Sequence, residues 1–246
     1  MLNVTARQDL MSKIVDTLLV VVEDARFDFS DGGLQVRVVD PSHVAMIQMD
    51  IDAAAFDTWE LDETKICLEM RKLKEMVALG APDDHIEMNF NEDSGVLTLN
   101  LGKIDRNVRP LDPSTISPPT LPGLDFGCKV KLGGAEFSQS LKAARQVGDL
   151  VNFSVDPKKF TVHVQGSTDS VTVEFDSADL QSLECDKPSR SQYSLTYLLP
   201  LSKVFGNLES VELAFGDNFP LSMNFAFYDG AAEVKYFLAP RIESDL

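Results

Sequence analysis

Apolar residues recur along this chain with two alternating periods. In ARQDLMSKIVDTLLVVV (6–22), Leu10, Ile14, Leu18 and Val21 fall at helical spacing. FDFSDGGLQVRVVD (27–40) then alternates apolar with polar, breaks at Gly32-Gly33 and alternates again, which predicts a hairpin. The same succession returns in the second half. GAEFSQSLKAARQV (134–147) carries Phe137, Leu141 and Ala144 at i, i+4 and i+7, and VNFSVDPKKFTVHVQG (151–166) reads as strand, tight turn, strand. Two later stretches also correspond. Residues 66–102 predict a strand, a short helix, a Gly/Pro/Asp turn and a hairpin, and 194–240 repeat that order. Helices are expected over 7–19, 70–79, 137–147 and 198–207, with Pro200 in the first turn of the last, where a missing N–H costs little. The Gly133-Gly134 pair, like Gly32-Gly33, reads as a turn.

The pattern is a duplication of about 115 to 120 residues. Domains are expected over 1–111 and 128–246. Between them, DPSTISPPTLPGLDFG (112–127) holds four prolines and two glycines, and cannot be a helix or a central strand. This linker carries Ile116, Leu121, Leu124 and Phe126, which would be exposed unless they pack on something. The chain ends in YFLAPRIESDL (236–246), where Pro240 closes a strand and leaves Ala239, Pro240 and Ile242 beside it.

Composition narrows the classes. Of 246 residues, 44% are hydrophobic and 25% charged, ordinary values for a globular protein. The longest unbroken apolar run is Leu18 to Val22, against about 20 residues for a membrane span, so no membrane association is expected. The N-terminus lacks the basic-then-apolar arrangement of a signal peptide. Cys67, Cys128 and Cys185 are widely separated and form no CxxC, so they read as free buried thiols rather than a disulfide framework or a zinc site. No metal or cofactor is expected. No HExxH, GxxxxGK[ST], GxSxG or GxGxxG occurs, so no enzyme is expected. The acid pairs Asp83-Asp84 and Glu92-Asp93 read as solvated turn residues. His43, after the turn signal Asp40-Pro41-Ser42, reads as a hydrogen-bonded loop residue.

A net charge of −17 argues against nucleic acid unless positive charge is concentrated somewhere. It is concentrated. The four expected helices hold Arg7, Lys13, Arg71, Lys72, Lys74, Lys142, Arg145 and Lys203, against the acids Asp9, Asp16 and Glu75. These segments carry +5 and leave −22 for the remainder. A basic helix layer on an acidic β body could hold phosphates without reading bases.

VVDPSHVAMI (38–47), the Pro-rich apolar linker and FLAPRIE (237–243), at opposite ends of a duplicated chain, resemble the proliferating cell nuclear antigen family of sliding clamps. DPSTI and the Asp-Pro at 40–41 resemble its archaeal members more than its eukaryotic ones. The resemblance covers the whole chain. It implies an α+β clamp fold: two similar domains, each with two helices packed on antiparallel sheets, and three chains closing head to tail into a ring. It implies a non-catalytic processivity factor in DNA replication and repair that encircles duplex DNA and tethers DNA polymerase and other enzymes. Implied partners are PIP-box proteins such as DNA polymerase, flap endonuclease and DNA ligase, and the clamp loader replication factor C. The implied location is the cytoplasm of an archaeal cell, at the nucleoid, or the nucleus of a eukaryote.

By the same resemblance the eight helix bases named above face the DNA channel. Leu19, Gln139 and Gln146 stand where relatives tend to carry bases. The PIP-box pocket is implied to take Val39, His43, Val44 and Met46 from the loop after the first hairpin, and Leu121 and Leu124 from the linker. Pro220, Phe237, Ala239, Pro240 and Ile242 would complete it. The subunit contact is implied to join the strand near 105–111, with Arg106 and Arg109, to the strand near 170–175, with Glu174 and Asp176. Two other readings stay open: a clamp-like subunit of a heterotrimeric ring, and an acidic protein-interaction scaffold that never encircles DNA.

Overall fold

Both periods of the sequence are realised. The structure, a computed structural model, describes residues 1–121 and 123–242. Its first half runs β1 (Leu2–Arg7), α1 (Gln8–Leu18), β2 (Asp24–Ser30), β3 (Gly33–Val39), β4 (Ala45–Asp52), β5 (Thr58–Leu61), β6 (Thr64–Glu69), α2 (Met70–Val77), β7 (His85–Asn91), β8 (Val96–Leu101) and β9 (Ile104–Val108). The second half runs β10 (Cys128–Leu132), α3 (Gly134–Arg145), β11 (Leu150–Asp156), β12 (Lys159–Gln165), β13 (Ser170–Asp176), β14 (Ser182–Cys185), β15 (Ser189–Ser194), α4 (Leu195–Phe205), β16 (Val211–Phe215), β17 (Leu221–Phe227) and β18 (Ala232–Leu238). The order of helices and strands in the two halves is identical, as the duplication requires.

The chain folds as two compact units, one of Met1–Leu121 with Ala226–Val234, the other of Pro122–Phe225 with Lys235–Leu246. In the first, one antiparallel sheet has the order β5-β1-β7-β8-β9 and the other the order β4-β3-β2-β6. In the second, β14-β10-β16-β17 matches β5-β1-β7-β8 of the former and β13-β12-β11-β15 the latter. The helices pair α1 with α2 and α3 with α4.

Alternation decides which face each strand buries. Along β1 every second residue is buried, and β2 buries Ala25, Phe27 and Phe29. In register, Phe27 opposes Val36 and Phe29 opposes Leu34, so the apolar faces of β2 and β3 coincide. Helix α1 buries Leu10, Ile14 and Leu18 on one stripe and stops before Val20 to Val22, a β-branched run that helices disfavour. The second unit's core is aromatic. Phe153 lies 5.8 Å from Phe137, 5.5 Å from Phe160 and 5.3 Å from Tyr193 between ring centroids, all fully buried. Edge and tilted packings of this kind add to burial. The buried Tyr193 hydroxyl donates to the Phe219 carbonyl at 2.7 Å, and burial raises its pKa.

Three sequence expectations are corrected. Gly133-Gly134 is not a turn: Gly133 precedes α3 and Gly134 is its first residue. A Cβ at 134 would lie 2.1 Å from the Phe205 carbonyl oxygen of α4 and 2.8 Å from that of Leu208, so glycine permits a close helix approach. Pro200 is not in a first turn, because α4 begins at Leu195 and the proline falls inside it, on the exposed side. The exposed position spares the buried face the disruption that an interior proline brings. The strand expected near 105–111 spans Ile104–Val108, ending shortly before Pro110, which restricts its predecessor and offers no N–H. Gly33, by contrast, has φ +141° beside the β2–β3 turn, and a Cβ there would meet the Ile51 carbonyl oxygen at 2.0 Å.

Replacing Gly134 with alanine forces α3 away from α4. Equilibrium denaturant unfolding is expected to lose about 1–3 kcal/mol, the range for overpacking. The same change at Gly32, where a Cβ meets nothing within 4 Å, leaves stability nearly unchanged.

Candidate nucleic-acid and peptide interfaces

The eight bases expected on helices divide by unit, and one of them, Arg7, ends β1 instead of opening α1. In the first, Arg7 bonds Asp9 at 2.8 Å and Asp83 at 2.7 Å, and Arg71 bonds Glu23 at 2.6 Å. Lys72 pairs with Glu69 and Lys74 with Asp16. The Arg7 guanidinium holds the Asp9 carboxyl below its ordinary value. Lys13 lies over the Phe227 ring, 5.5 Å from its centroid. Asp83 and Asp84 are therefore not merely solvated, since Asp83 holds Arg7 and Asp84 accepts from the Ala81 N–H at 2.7 Å.

In the second unit Arg145 pairs with Asp149, one turn on. Lys142 on α3 and Lys203 on α4 are exposed and make no ion pair among the described residues. Exposed pairs contribute little to stability, about 0–1 kcal/mol each. Their larger effect is to cancel the positive charge of the first unit's bases other than Lys13 and to leave Lys142 and Lys203 free in the second.

A groove of about 540 Å³ opens in the first unit. Val39 and His43 line it together with Leu19, Arg37, Ile116 and Pro119. Its loop is organised by Asp40, only 6% exposed. The Asp40 carboxylate accepts from the N–H groups of Ser42 at 3.0 Å, Val44 at 2.6 Å and Ala45 at 2.6 Å. His43 closes the turn with φ 55°, its N–H donating to the Asp40 carbonyl at 2.9 Å. Met46, half-buried on β4, stands in register opposite Val39. Val44 and Leu121 are half-buried too, and neither lines the groove.

Arg37 was not anticipated. Its buried Nε has no hydrogen-bond partner among the described residues, and the side chain lines this groove. The signal was available: Arg37 is the polar position between the buried Val36 and Val38. Ile116 and Pro119 belong to the Pro-rich segment, whose start is tied to β6 by the Leu111 N–H on the Cys67 carbonyl at 2.9 Å.

Leu124, Pro220, Phe237, Ala239 and Pro240 are half-buried, and Ile242 is 68% exposed. Phe126 packs edge-on against Phe219, with centroids 5.8 Å apart. After β18 the chain turns at Ala239-Pro240, and the Arg241 N–H donates to the Gln192 carbonyl at 2.7 Å. The tail is hydrogen-bonded through Arg241 while its next side chain faces solvent.

The strands implied in subunit contact both end their sheets, β9 in the first unit and β13 in the second. Arg106 reaches within its own chain to Glu75 at 3.0 Å, and Glu174 pairs with Lys159. Arg109 and Asp176 are exposed. Among the described residues no group of three or more His, Cys, Asp or Glu could hold a metal ion. No helix there is long and apolar enough to cross a membrane.

The proliferating cell nuclear antigen N-terminal domain model matches residues 1–109, and the C-terminal domain model matches residues 120–241. The chain belongs to the proliferating cell nuclear antigen family. The DNA polymerase sliding clamp of Methanocella arvoryzae is 32% identical over 246 residues, and that of Methanococcoides burtonii 33% over 248, each covering all of both chains. A solved structure of the C-terminal region of FEN-1 bound to A. fulgidus PCNA superposes with a TM-score of 0.93 at 30% identity, covering all of both chains. PCNA from Thermococcus kodakaraensis, at 22% identity and a TM-score of 0.89, shares the fold. The expected family, its α+β clamp fold and its sliding-clamp function are borne out.

Removing the Asp40 carboxylate leaves three backbone donors without their acceptor. Asp40→Ala is expected to destabilise the chain by about 2 kcal/mol or more in thermal or denaturant unfolding. It should also release the β3–β4 loop, seen as faster amide exchange at Val44 and Ala45. Unchanged exchange there would show that the carboxylate does not hold the loop.

Proposed function

We propose that this chain works as a homotrimeric ring that encircles duplex DNA without catalysing any reaction, with domains at 1–111 and 128–246 joined by the 112–127 linker. The observation that carries the reading is the full-length match to archaeal DNA polymerase sliding clamps through both domains. Contact with DNA is sequence-independent and runs through phosphates. Lys142 and Lys203 dominate it, because the paired bases of the first unit have acids already bound. A ring held by topology needs only such loose contact. The clients are PIP-box proteins, among them DNA polymerase, flap endonuclease and DNA ligase, and replication factor C opens the ring. The location is the archaeal cytoplasm.

A client's short helix inserts apolar side chains at the Val39–His43 groove, where each large anchor contributes about 1.5–3 kcal/mol on burial. The roles of Leu121, Leu124, Pro220, Phe237, Ala239, Pro240 and Ile242 as further peptide contacts rest on family resemblance.

The decisive experiment is topological. Loaded on nicked circular DNA by a clamp loader, the protein should stay bound at high salt and slide off after linearisation. Release from intact circles at high salt would favour a scaffold that does not encircle DNA. Replacing Lys142 and Lys203 with alanine should lower the salt dependence of DNA association by about two phosphate contacts per chain, whereas Lys72→Ala should change it little.

For the ring itself, β9 of one chain pairs with β13 of the next, with Arg109 near Glu174 or Asp176. Light scattering should give about 81 kDa, three times the chain mass of 27.1 kDa. Arg109→Glu should lower that mass at the same concentration. An unchanged trimer dissociation constant would remove Arg109 from the interface, and a mass near one chain at high concentration would favour the heterotrimer reading.

A further inference from the structure

The three cysteines are distant in sequence and all free, but the structure brings two together. Cys128 and Cys185 oppose each other directly in the antiparallel β10–β14 pairing. Their Sγ atoms are 3.3 Å apart. The geometry suits one direction of thiol hydrogen bonding. Cys185 lies 3.2 Å from the Lys187 carbonyl, to which its S–H donates, leaving its sulfur lone pairs toward Cys128. Cys128 is buried, as expected, but Cys185 is only half-buried, so the expectation of three buried thiols fails at Cys185. Reagents can reach it. Cys67 is buried in the other unit.

We propose that Cys128 and Cys185 form a modification site: a reversible cross-strand disulfide, closed by a hydroperoxide and reopened by a thiol. Directly opposed strand residues have Cα atoms about 4.5–5.5 Å apart, inside the range a disulfide spans. The sulfurs need approach by only about 1.3 Å to reach bonding distance. In the first step the Cys185 thiolate attacks one peroxide oxygen. The O–O bond breaks, the alkoxide or hydroxide leaving group takes up a proton, and Cys185 becomes a sulfenic acid. In the second, the Cys128 sulfur attacks the Cys185 sulfur, the S–O bond breaks, and hydroxide leaves as water with the Cys128 proton. Two thiols lose two electrons and two protons, and the hydroperoxide is reduced to an alcohol and water.

The bond would tie β14, the end strand of its sheet, to β10, the strand that starts straight after the Pro-rich segment. The Asp186 N–H already donates to the Gly127 carbonyl at 3.3 Å, so the oxidised pair would close both sides of this junction. Closing a loop of this length restricts the unfolded chain and raises stability.

The reaction is gated by ionisation. Burial first, then the neighbouring Cys128 thiol and the Asp156 carboxylate of β11, push the Cys185 thiol up to about 12. A backbone hydrogen bond at Lys187 opposes them. The thiolate that attacks peroxide is therefore scarce at neutral pH, and the rate should rise about tenfold per pH unit through the alkaline range.

The test is hydrogen peroxide titration of the whole chain, followed by thiol counting in denaturant and non-reducing peptide mapping. The expected result is loss of two of its three thiols, a Cys128–Cys185 cross-linked peptide two hydrogens lighter than its separate parts, and a higher melting temperature. Dithiothreitol should restore all three thiols. Cys185→Ser and, independently, Cys128→Ser should abolish the cross-link, while Cys67→Ser should leave it intact. Cross-links between chains, or Cys185 driven to sulfinic acid with Cys128 still free, would overturn the proposal. Either result is independent of whether the ring encircles DNA.

Discussion

Four short helices that are apolar on one side only set the terms for the rest of this structure. Each must cover a sheet face to bury residues such as Leu10, Ile14, Phe137 and Leu141, which are fully buried. None is long enough to be stable alone. Packing in pairs therefore creates the helices as much as it covers the sheets. The price of that arrangement is a second face that must stay polar. It is on this remaining face that the chain, acidic overall, collects its bases.

The two units meet this constraint with different chemistry. In the second, Gly134 lets α3 approach the end of α4, and the rings around Phe153 fill the space beneath. In the first, acids such as Asp9, Asp16, Glu23 and Glu69 accompany the bases and neutralise all but Lys13. Identical element order thus carries unequal electrostatics. Duplication preserves a packing plan because strand alternation and helix stripes enforce it, whereas exposed charges are free to diverge. A clamp that must slide gains from this, because phosphate attraction strong enough to hold one register would oppose motion.

The groove of the first unit has a similar logic. Its loop is held by a buried carboxylate that accepts three backbone N–H groups. This lets His43 adopt a left-handed conformation and leaves apolar side chains at the surface. Rigid presentation matters for recognition, since a preformed site spares the entropy of ordering itself around a client. The half-buried Ile116 and Pro119 show that this part of the Pro-rich segment packs on the first unit.

Much of this was legible in the chain itself. Periodicity determined the helices, the hairpins and the duplication, because a period of 3.6 or 2 follows directly from which face is buried. The family was readable from VVDPSHVAMI and FLAPRIE, and the bases stood out by count. Element ends were less legible. α3 and α4 start three residues earlier than the pattern suggests, since packing at Gly134 extends one and tolerates Pro200 in the other. What the tertiary structure alone decided is who stands next to whom. Lys74 meets Asp16 across 58 positions and Cys128 meets Cys185 across 57. Strand register and helix packing make such neighbours, and neither distance leaves a period in the sequence.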